Sequence, residues 1–260
     1  MEPRIKNGWL RAVLFMPIWF FAQAIVQGIG VVVIMISSGV DMSDPAAADA
    51  FVASMEGMSF GSPMMLLMTA LGILSSFAAI WFMMAVVNRE PLMDIGLSVE
   101  NRGKEMLAGL GGALLFIGGI FLILWVLGAI TVTGSVGFKA EVFMVSIMLF
   151  IAAFNEEIVF RGYLLKNMMD ETDNRWIALA GSSVFFALVH SGNPSVWSTW
   201  VPMTELFAAG FILGISYTFT KNLWLPTFFH FGWNFFQGLF GFEISGMGVD
   251  SWKMIAHENT

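Results

Sequence analysis

"FNEEIVFRGYLL", residues 154–165, sets two adjacent glutamates and an arginine in a stretch whose surroundings are apolar. What flanks it decides the fold. Uncharged runs cover 12–40, 63–88, 106–138 and 176–204, and each is longer than the roughly 18–20 residues that cross a hydrocarbon core. The 260-residue chain is 57% hydrophobic and only 12% charged, with a mean hydropathy of +0.78. Soluble domains carry about 25% charged residues. The expected fold is all-α: a polytopic transmembrane helical bundle forming a single integral-membrane domain over 1–260. A β-barrel would show short alternating segments instead. The first run is too long for the apolar region of a signal peptide and reads as a retained span.

The chain has no cysteine, which excludes disulfides, thiol nucleophiles and cysteine-ligated zinc. Its net charge of −7 argues against a nucleic-acid partner and leaves membrane lipid as the expected surroundings.

Seven spans are expected, at about 10–37, 63–88, 106–130, 142–168, 176–191, 196–220 and 222–242. "SGNPS" at 191–195 is a turn signal closing the fifth. Glycines at 109, 111, 112, 118 and 119 read as close-packing positions of the third. Positive residues set the orientation. Arg4, Lys6 and Arg11, then Arg89, Arg102 and Lys104, then Lys166 and Arg175, and lastly Lys221 all fall on one side if the N-terminus is cytoplasmic. Trp197 and Trp200 would then anchor the outer interface.

An ionisable residue inside a span is a functional-site candidate. The candidates are Glu156, Glu157 and Arg161, then His190, Glu205 and His230, with Asn234 as a polar neutral neighbour. Glu157 and Arg161 stand four apart, share a helix face and can pair, which suits a mainly structural role. Glu156 is rotated by about 100° and faces Phe160 at four residues' distance, so it is the carboxylate left for chemistry. His230 and Asn234 also share a face. At about 1.5 Å per residue, Glu156, His190 and His230 lie roughly 15, 21 and 14 Å from basic or interfacial ends. They can meet in one polar cavity. The bland alternatives are a packed core histidine for His190 and a helix-linking amide for Asn234. Glu205 falls near the outer interface as a solvated or structural acid, and His257 sits in a polar tail, expected inert.

A carboxylate with two imidazoles and an amide suits water activation. Glu156 could take the proton with His190 orienting the water, while His230 and Asn234 donate to an oxyanion. Alternatively, Glu156, His190 and His230 could ligate zinc. The expectation is no essential metal, because no spare acid within the spans is evident to take a second histidine N–H, although a backbone carbonyl could serve. The chain has no H-E-x-x-H, no G-x-S-G and no pair of aspartates within spans, so other intramembrane hydrolase classes lack their residues.

These residues resemble the motifs of the CPBP family of intramembrane proteases, which includes CAAX prenyl endopeptidases and bacteriocin-processing or immunity homologues, also called the Abi family. E-E-x-x-x-R is matched by Glu156, Glu157 and Arg161, followed by Gly162. F-x-x-x-H is matched by Phe186 to His190, and H-x-x-x-N by His230 to Asn234. The resemblance covers about 90–242. It implies an eight-helix tendency, with the extra helix sought within 129–145. It also implies Glu156 and His190 as the water-activating pair, with His230 and Asn234 as oxyanion donors. The family's name says metalloprotease, which these residues do not settle. The implied activity is intramembrane endoproteolysis of a hydrophobic peptide or prenylated protein, in a bacterial or archaeal cell membrane. The alternative is a non-catalytic scaffold or bacteriocin-immunity factor. A transporter with a protonatable Glu156 fits less well, since no internal repeat is visible.

Overall fold

The computed structural model describes residues 2–41, 43–56, 61–135, 140–193, 196–244 and 253–259. Helix α1 spans Gly8–Ser37, α2 Pro45–Glu56, α3 Pro63–Phe82 and α4 Gly103–Val126. Strand β1 (Ile130–Ser135) precedes α5 (Glu141–Glu157) and α6 (Lys166–Glu171). Then come α7 (Arg175–Val189), α8 (Val201–Thr220), α9 (Trp224–Leu239) and strand β2 (Ile255–Asn259). The all-helical membrane bundle expected from the sequence is the architecture observed. Among the described residues, five segments are long and apolar enough to cross a membrane: Gly8–Ser37, Pro63–Asn88, Gly103–Val126, Glu141–Glu171 and Val201–Thr220.

The expected spans at 176–191 and 222–242 come out shorter. Helices α7 and α9, of 15 and 16 residues, reach only about 22–24 Å, short of the ~30 Å hydrocarbon thickness. A 3-10 turn at His190–Gly192 ends α7, and Gly241, at φ +87°, turns the chain after α9. Pro194 and Ser195 of the expected turn at 191–195 lie outside the described residues.

The extra helix sought within 129–145 is instead β1 at 130–135. Gly128, at φ +71°, terminates the helical path, and β-branched Ile130, Thr131, Val132 and Thr133 favour extended backbone. The partner is β2, antiparallel, with a register irregularity between Val132 and Gly134. The C-terminal tail is therefore tied down. His257 lies on β2 with its ring 4.7 Å from that of Phe242 and 6.2 Å from that of Phe121.

The basic residues gather at one end. Arg4 N–H donates to the Val87 carbonyl, Lys166 Nζ reaches Glu90 at 2.6 Å, and Lys221 Nζ lies 3.4 Å from Met169 Sδ. Of the third-span glycines, Gly109 packs closest: a Cβ there would stand 2.6 Å from the Leu225 carbonyl oxygen. Gly112 also faces α9, at Phe229, whereas a Cβ on Gly111 or Gly119 would meet open space.

The bundle is organised around the segment opened in the sequence. After Glu157, α5 widens into a π-helix, Ile158–Leu165, and all eight of its residues are buried. Six of them, all but Arg161 and Gly162, join the main core with Phe15, Ile80, Leu179 and Tyr217. A π-turn disturbs the ordinary i to i−4 ladder. Here Ser182 Oγ of α7 donates to the Phe160 carbonyl at 2.9 Å, so the widened turn and α7 are fixed together. A second π-segment, Met83–Asn88, ends α3. Tyr163 donates to Asn88 Oδ1 at 3.0 Å, and Asn88 Nδ2 to Asn167 Oδ1 at 2.8 Å. Arg11 Nε donates to the same Asn167 oxygen. This buried network locks α1, α3 and α6 at the basic end, so the site sits on a rigid floor.

Candidate active site

Glu156 and Glu157 occupy the last turn of α5 and diverge, as their 100° offset requires. Glu157 is fully buried and accepts from Arg161 Nη1 at 2.9 Å. Arg161 is buried as well. Its Nη2 donates to the Gly210 carbonyl of α8 at 2.9 Å, and its guanidinium lies 4.8 Å from the centre of the Phe186 ring. The expected i, i+4 pair is present, but it is half of the arrangement. The same Glu157 Oε1 lies 2.8 Å from His230 Nδ1. Glu157 therefore also holds the second histidine, correcting the expectation that no acid within the spans could do so. The reason is rotational: Glu157 points at α9 as well as along its own helix.

The two imidazoles are held alike. His190 Nδ1 lies 2.7 Å from the Phe186 carbonyl. A carbonyl only accepts, so Nδ1 carries the proton and the neutral ring presents Nε2 as a lone pair. The Glu157 carboxylate imposes the same choice on His230. Both Nε2 atoms then face one oxygen, Glu156 Oε2, at 3.9 Å from His190 and 3.8 Å from His230. That oxygen is buried and makes no hydrogen bond to a described residue. The comparable depth expected from sequence is thus realised by contact. Phe186 packs beneath, 4.8 Å from the His190 ring and 6.2 Å from that of His230.

These groups line a cavity of about 730 Å³. Asn234 lines it too, one turn beyond His230. Phe116, Ile120 and Leu124 of α4 make one wall, and Leu206, Ala209 and Ile212 of α8 the opposite one. Glu205 is solvent-exposed, as expected of an interfacial acid, and also lines the cavity. Gln237 was missed by the sequence reading. His230, Asn234 and Gln237 stand at i, i+4 and i+7, a polar stripe at helical spacing that could have flagged it. Gln237 accepts from Trp233 Nε1 at 2.8 Å and donates to the Glu243 carbonyl at 2.5 Å. This pins the loop that closes α9 against the cavity.

Glu156, His190 and His230 are chemically suited to zinc, and both histidines have the outer partner that ligating imidazoles favour. Their spacing is wider than a tetrahedral ion requires, since bonds of about 2.1 Å put neighbouring ligands about 3.4 Å apart. Among the described residues, no group of three His, Cys, Asp or Glu side chains is gathered as a metal-holding set. A water bridging two of the groups at about 2.8 Å favours a separation of about 4.5 Å, so the observed 3.8–3.9 Å lies between the two cases.

No curated protein and no solved structure matches the chain. Residues 138–236 match the family model described as Type II CAAX prenyl endopeptidase Rce1-like. That segment contains all three motifs, from Glu156 to Asn234, and over those residues the chain is similar to CAAX prenyl endopeptidases.

Proposed function

We propose that this chain is an intramembrane endopeptidase that hydrolyses a peptide bond of a lipid-modified or hydrophobic substrate with water activated by Glu156. The observation that carries the reading is the convergence of His190 Nε2 and His230 Nε2 on the unpartnered Glu156 Oε2. A base needs an oxygen left free for a water, and Glu156 Oε2 is such an oxygen, placed between two imidazoles.

In this mechanism, the water donates one proton to Glu156 and the other hydrogen bond to the His190 lone pair. Its oxygen is then aimed at a carbonyl carbon in the cavity. Glu156 later passes the proton to the leaving amine, so the carboxylate is regenerated. The oxyanion is met by the Asn234 amide. His230, kept as the Nδ1–H tautomer by Glu157, borders the water with its Nε2 lone pair and so does not donate to the oxyanion as its spacing from Asn234 suggested. Zinc, if bound, would be held by Glu156, His190 and His230 and would acidify a coordinated water. The metal-free route is the one proposed. The apolar walls of α4 and α8 would take the hydrophobic part of the substrate, and the basic end would face the cytoplasm.

The test is cleavage of hydrophobic and farnesylated peptides by the purified protein in lipid nanodiscs, read by mass spectrometry. Wild type is expected to cleave at least one of them, and Glu156→Gln to lower the rate by about 10² or more with folding unchanged. Wild-type turnover by Glu156→Gln removes Glu156 from the mechanism.

A further inference from the structure

At the basic end of the bundle, the charged side chains of α6 are held within the protein. Lys166 lies 2.6 Å from Glu90 and 3.1 Å from Asp170, and Arg11 lies 3.6 Å from Asp170. Glu171 accepts from the Asn7 amide and the Gly8 N–H. Two neighbouring cations differ. Arg175 and Lys221 are exposed, and among the described residues neither is in an ion pair, not even with the nearby exposed Asp173. Arg175 opens α7 and lays its guanidinium 4.7 Å from the centre of the Phe219 ring of α8. Lys221 follows the last residue of α8, and its Nζ stands 3.4 Å from the Met169 thioether, a weak acceptor.

Phe219 stands two residues before Lys221, so both cations sit at one end of the seam between α7 and α8. Partial burial holds the Lys221 ammonium below the usual lysine value. Asp170 works against this, and Arg175 and Lys166 add to it. The spot is short of negative charge. The surface beside it is apolar. Phe219 is 63% exposed, and Ile212, seven residues earlier on the same face of α8, is exposed too. Trp176 of α7 is exposed and stacks on Phe211 of α8, with ring centres 6.1 Å apart and planes 12° from parallel. Val201–Thr220 is long and apolar enough to cross a membrane. Lys221, just past its end, therefore stands where hydrocarbon gives way to headgroups.

A soluble anion would meet the two cations but gain nothing from the apolar face. A lipid gains from both. We infer that Arg175 and Lys221 form the headgroup site of an anionic phospholipid, whose phosphate is held by the guanidinium and the ammonium while an acyl chain runs along Phe219 and Ile212 of α8. Guanidinium and phosphate match in geometry as well as charge, and the ring of Phe219 already holds the guanidinium at the seam. A zwitterionic lipid carries its own cation and is the poorer partner. The bound lipid ties the start of α7 to the end of α8.

The experiment is native mass spectrometry of the full chain from micelles holding equal amounts of phosphatidylglycerol and phosphatidylcholine with identical acyl chains. Wild type is expected to retain phosphatidylglycerol about tenfold over phosphatidylcholine, within what two cations near a headgroup supply. Arg175→Gln/Lys221→Gln should bring the ratio near one. Lys104→Gln, which removes an exposed cation at the start of α4, should leave it unchanged. Should the double variant not fold, the two single variants carry the test, each expected to lose part of the preference. A lipid that binds the folded seam also stabilises it. The thermal midpoint of wild type should therefore be higher in phosphatidylglycerol nanodiscs than in phosphatidylcholine ones, and the variants should lose that difference. Equal retention of both lipids by wild type overturns the site, as does a preference unchanged in the Arg175 and Lys221 variants. An equal loss in Lys104→Gln overturns it too, because the preference would then belong to the diffuse charge of the basic end. Displacement of the lipid by millimolar inorganic phosphate, beyond that caused by chloride at equal ionic strength, would make this a free-anion site and overturn the lipid assignment.

Discussion

Glu157 Oε1 stands 2.9 Å from Arg161 Nη1 and 2.8 Å from His230 Nδ1, so one carboxylate oxygen joins the buried cation to an active-site imidazole. The second oxygen of Glu157 is buried without a partner, which leaves the shared atom responsible for both contacts. Arg161 holds the carboxylate in place, and the carboxylate sets the histidine's protonation pattern.

Glu157→Gln keeps the shape and removes the charge. The amide can turn either its oxygen or its NH2 toward His230, so the ring loses a fixed tautomer. Activity should fall by about 10²-fold, within the range for removing a positioned catalytic partner. Nitrogen-15 NMR of labelled histidine is the discriminating measurement. The wild-type His230 ring should carry its proton on Nδ1, and the variant should show a mixture. An unchanged tautomer with lost activity would make Glu157 structural only.

Arg161→Ala should cost more stability than any other single change at the site. It leaves Glu157 buried with only an imidazole partner and orphans the Gly210 carbonyl. Breaking a buried pair from one side costs about 3–5 kcal/mol. A clear fall in the thermal midpoint in detergent is expected, with activity lost alongside. Arg161→Lys should recover part of the stability at most, because one ammonium cannot reproduce the two-pronged reach to Glu157 and Gly210. A thermal midpoint equal to wild type in Arg161→Ala would mean that Glu157 is not held as a charge.

The legible part of this molecule was what burial makes expensive. Glu156, His190 and His230 stand out because each places a polar group in an apolar segment, and helical rise alone brought them near one level. What stayed hidden depends on rotation and on distant pairing. The Phe186 carbonyl that fixes His190 is backbone, and every residue has one. The second partner of Glu157 depends on how α5 turns toward α9. The π-helix at 158–165 leaves no periodic mark, since residues on every side of it are buried. The β1–β2 pairing joins residues more than a hundred positions apart, and β1 is too short to register beside long apolar runs. Glu205 was placed by depth alone. Depth cannot say that α8 borders a cavity at that height.

The β1–β2 pairing should be sensitive to acid through His257. Burial beside Phe242 and Phe121 pushes its imidazole below the usual value, and Lys253 pushes in the same direction. A histidine whose folded value is depressed binds protons more readily when released. Its contribution is therefore fully present above the unfolded value near 6.5 and is lost as pH falls through the lower folded value. Hydrogen exchange at 255–259, corrected for the intrinsic pH dependence, should be slow at pH 7.5 and faster at pH 5.5. His257→Phe should remove that difference. Equal protection in wild type at both values would show that the strand does not respond to this ring.

The metal question turns on Glu156. As a zinc ligand it would be committed to the ion, and Glu157, already bound by Arg161 and His230, would be the remaining carboxylate at the end of α5. As a base it must keep Oε2 free, which is its state here. The outer partners of the two histidines do not decide the matter, because a fixed tautomer serves a ligating imidazole and a water-binding one equally. The 3.8 and 3.9 Å separations lie between the edge of a zinc tetrahedron, about 3.4 Å, and the span of a bridging water, about 4.5 Å, so the metal-free proposal rests on the free Oε2. Active protein purified without added metal is therefore expected to carry well under one zinc per chain by mass spectrometry. It should keep its turnover after treatment with a membrane-permeant chelator. Stoichiometric zinc, with activity lost on chelation and restored by zinc alone, would reverse the assignment. Glu156, His190 and His230 would then be ligands, and the base would have to be sought elsewhere along the cavity.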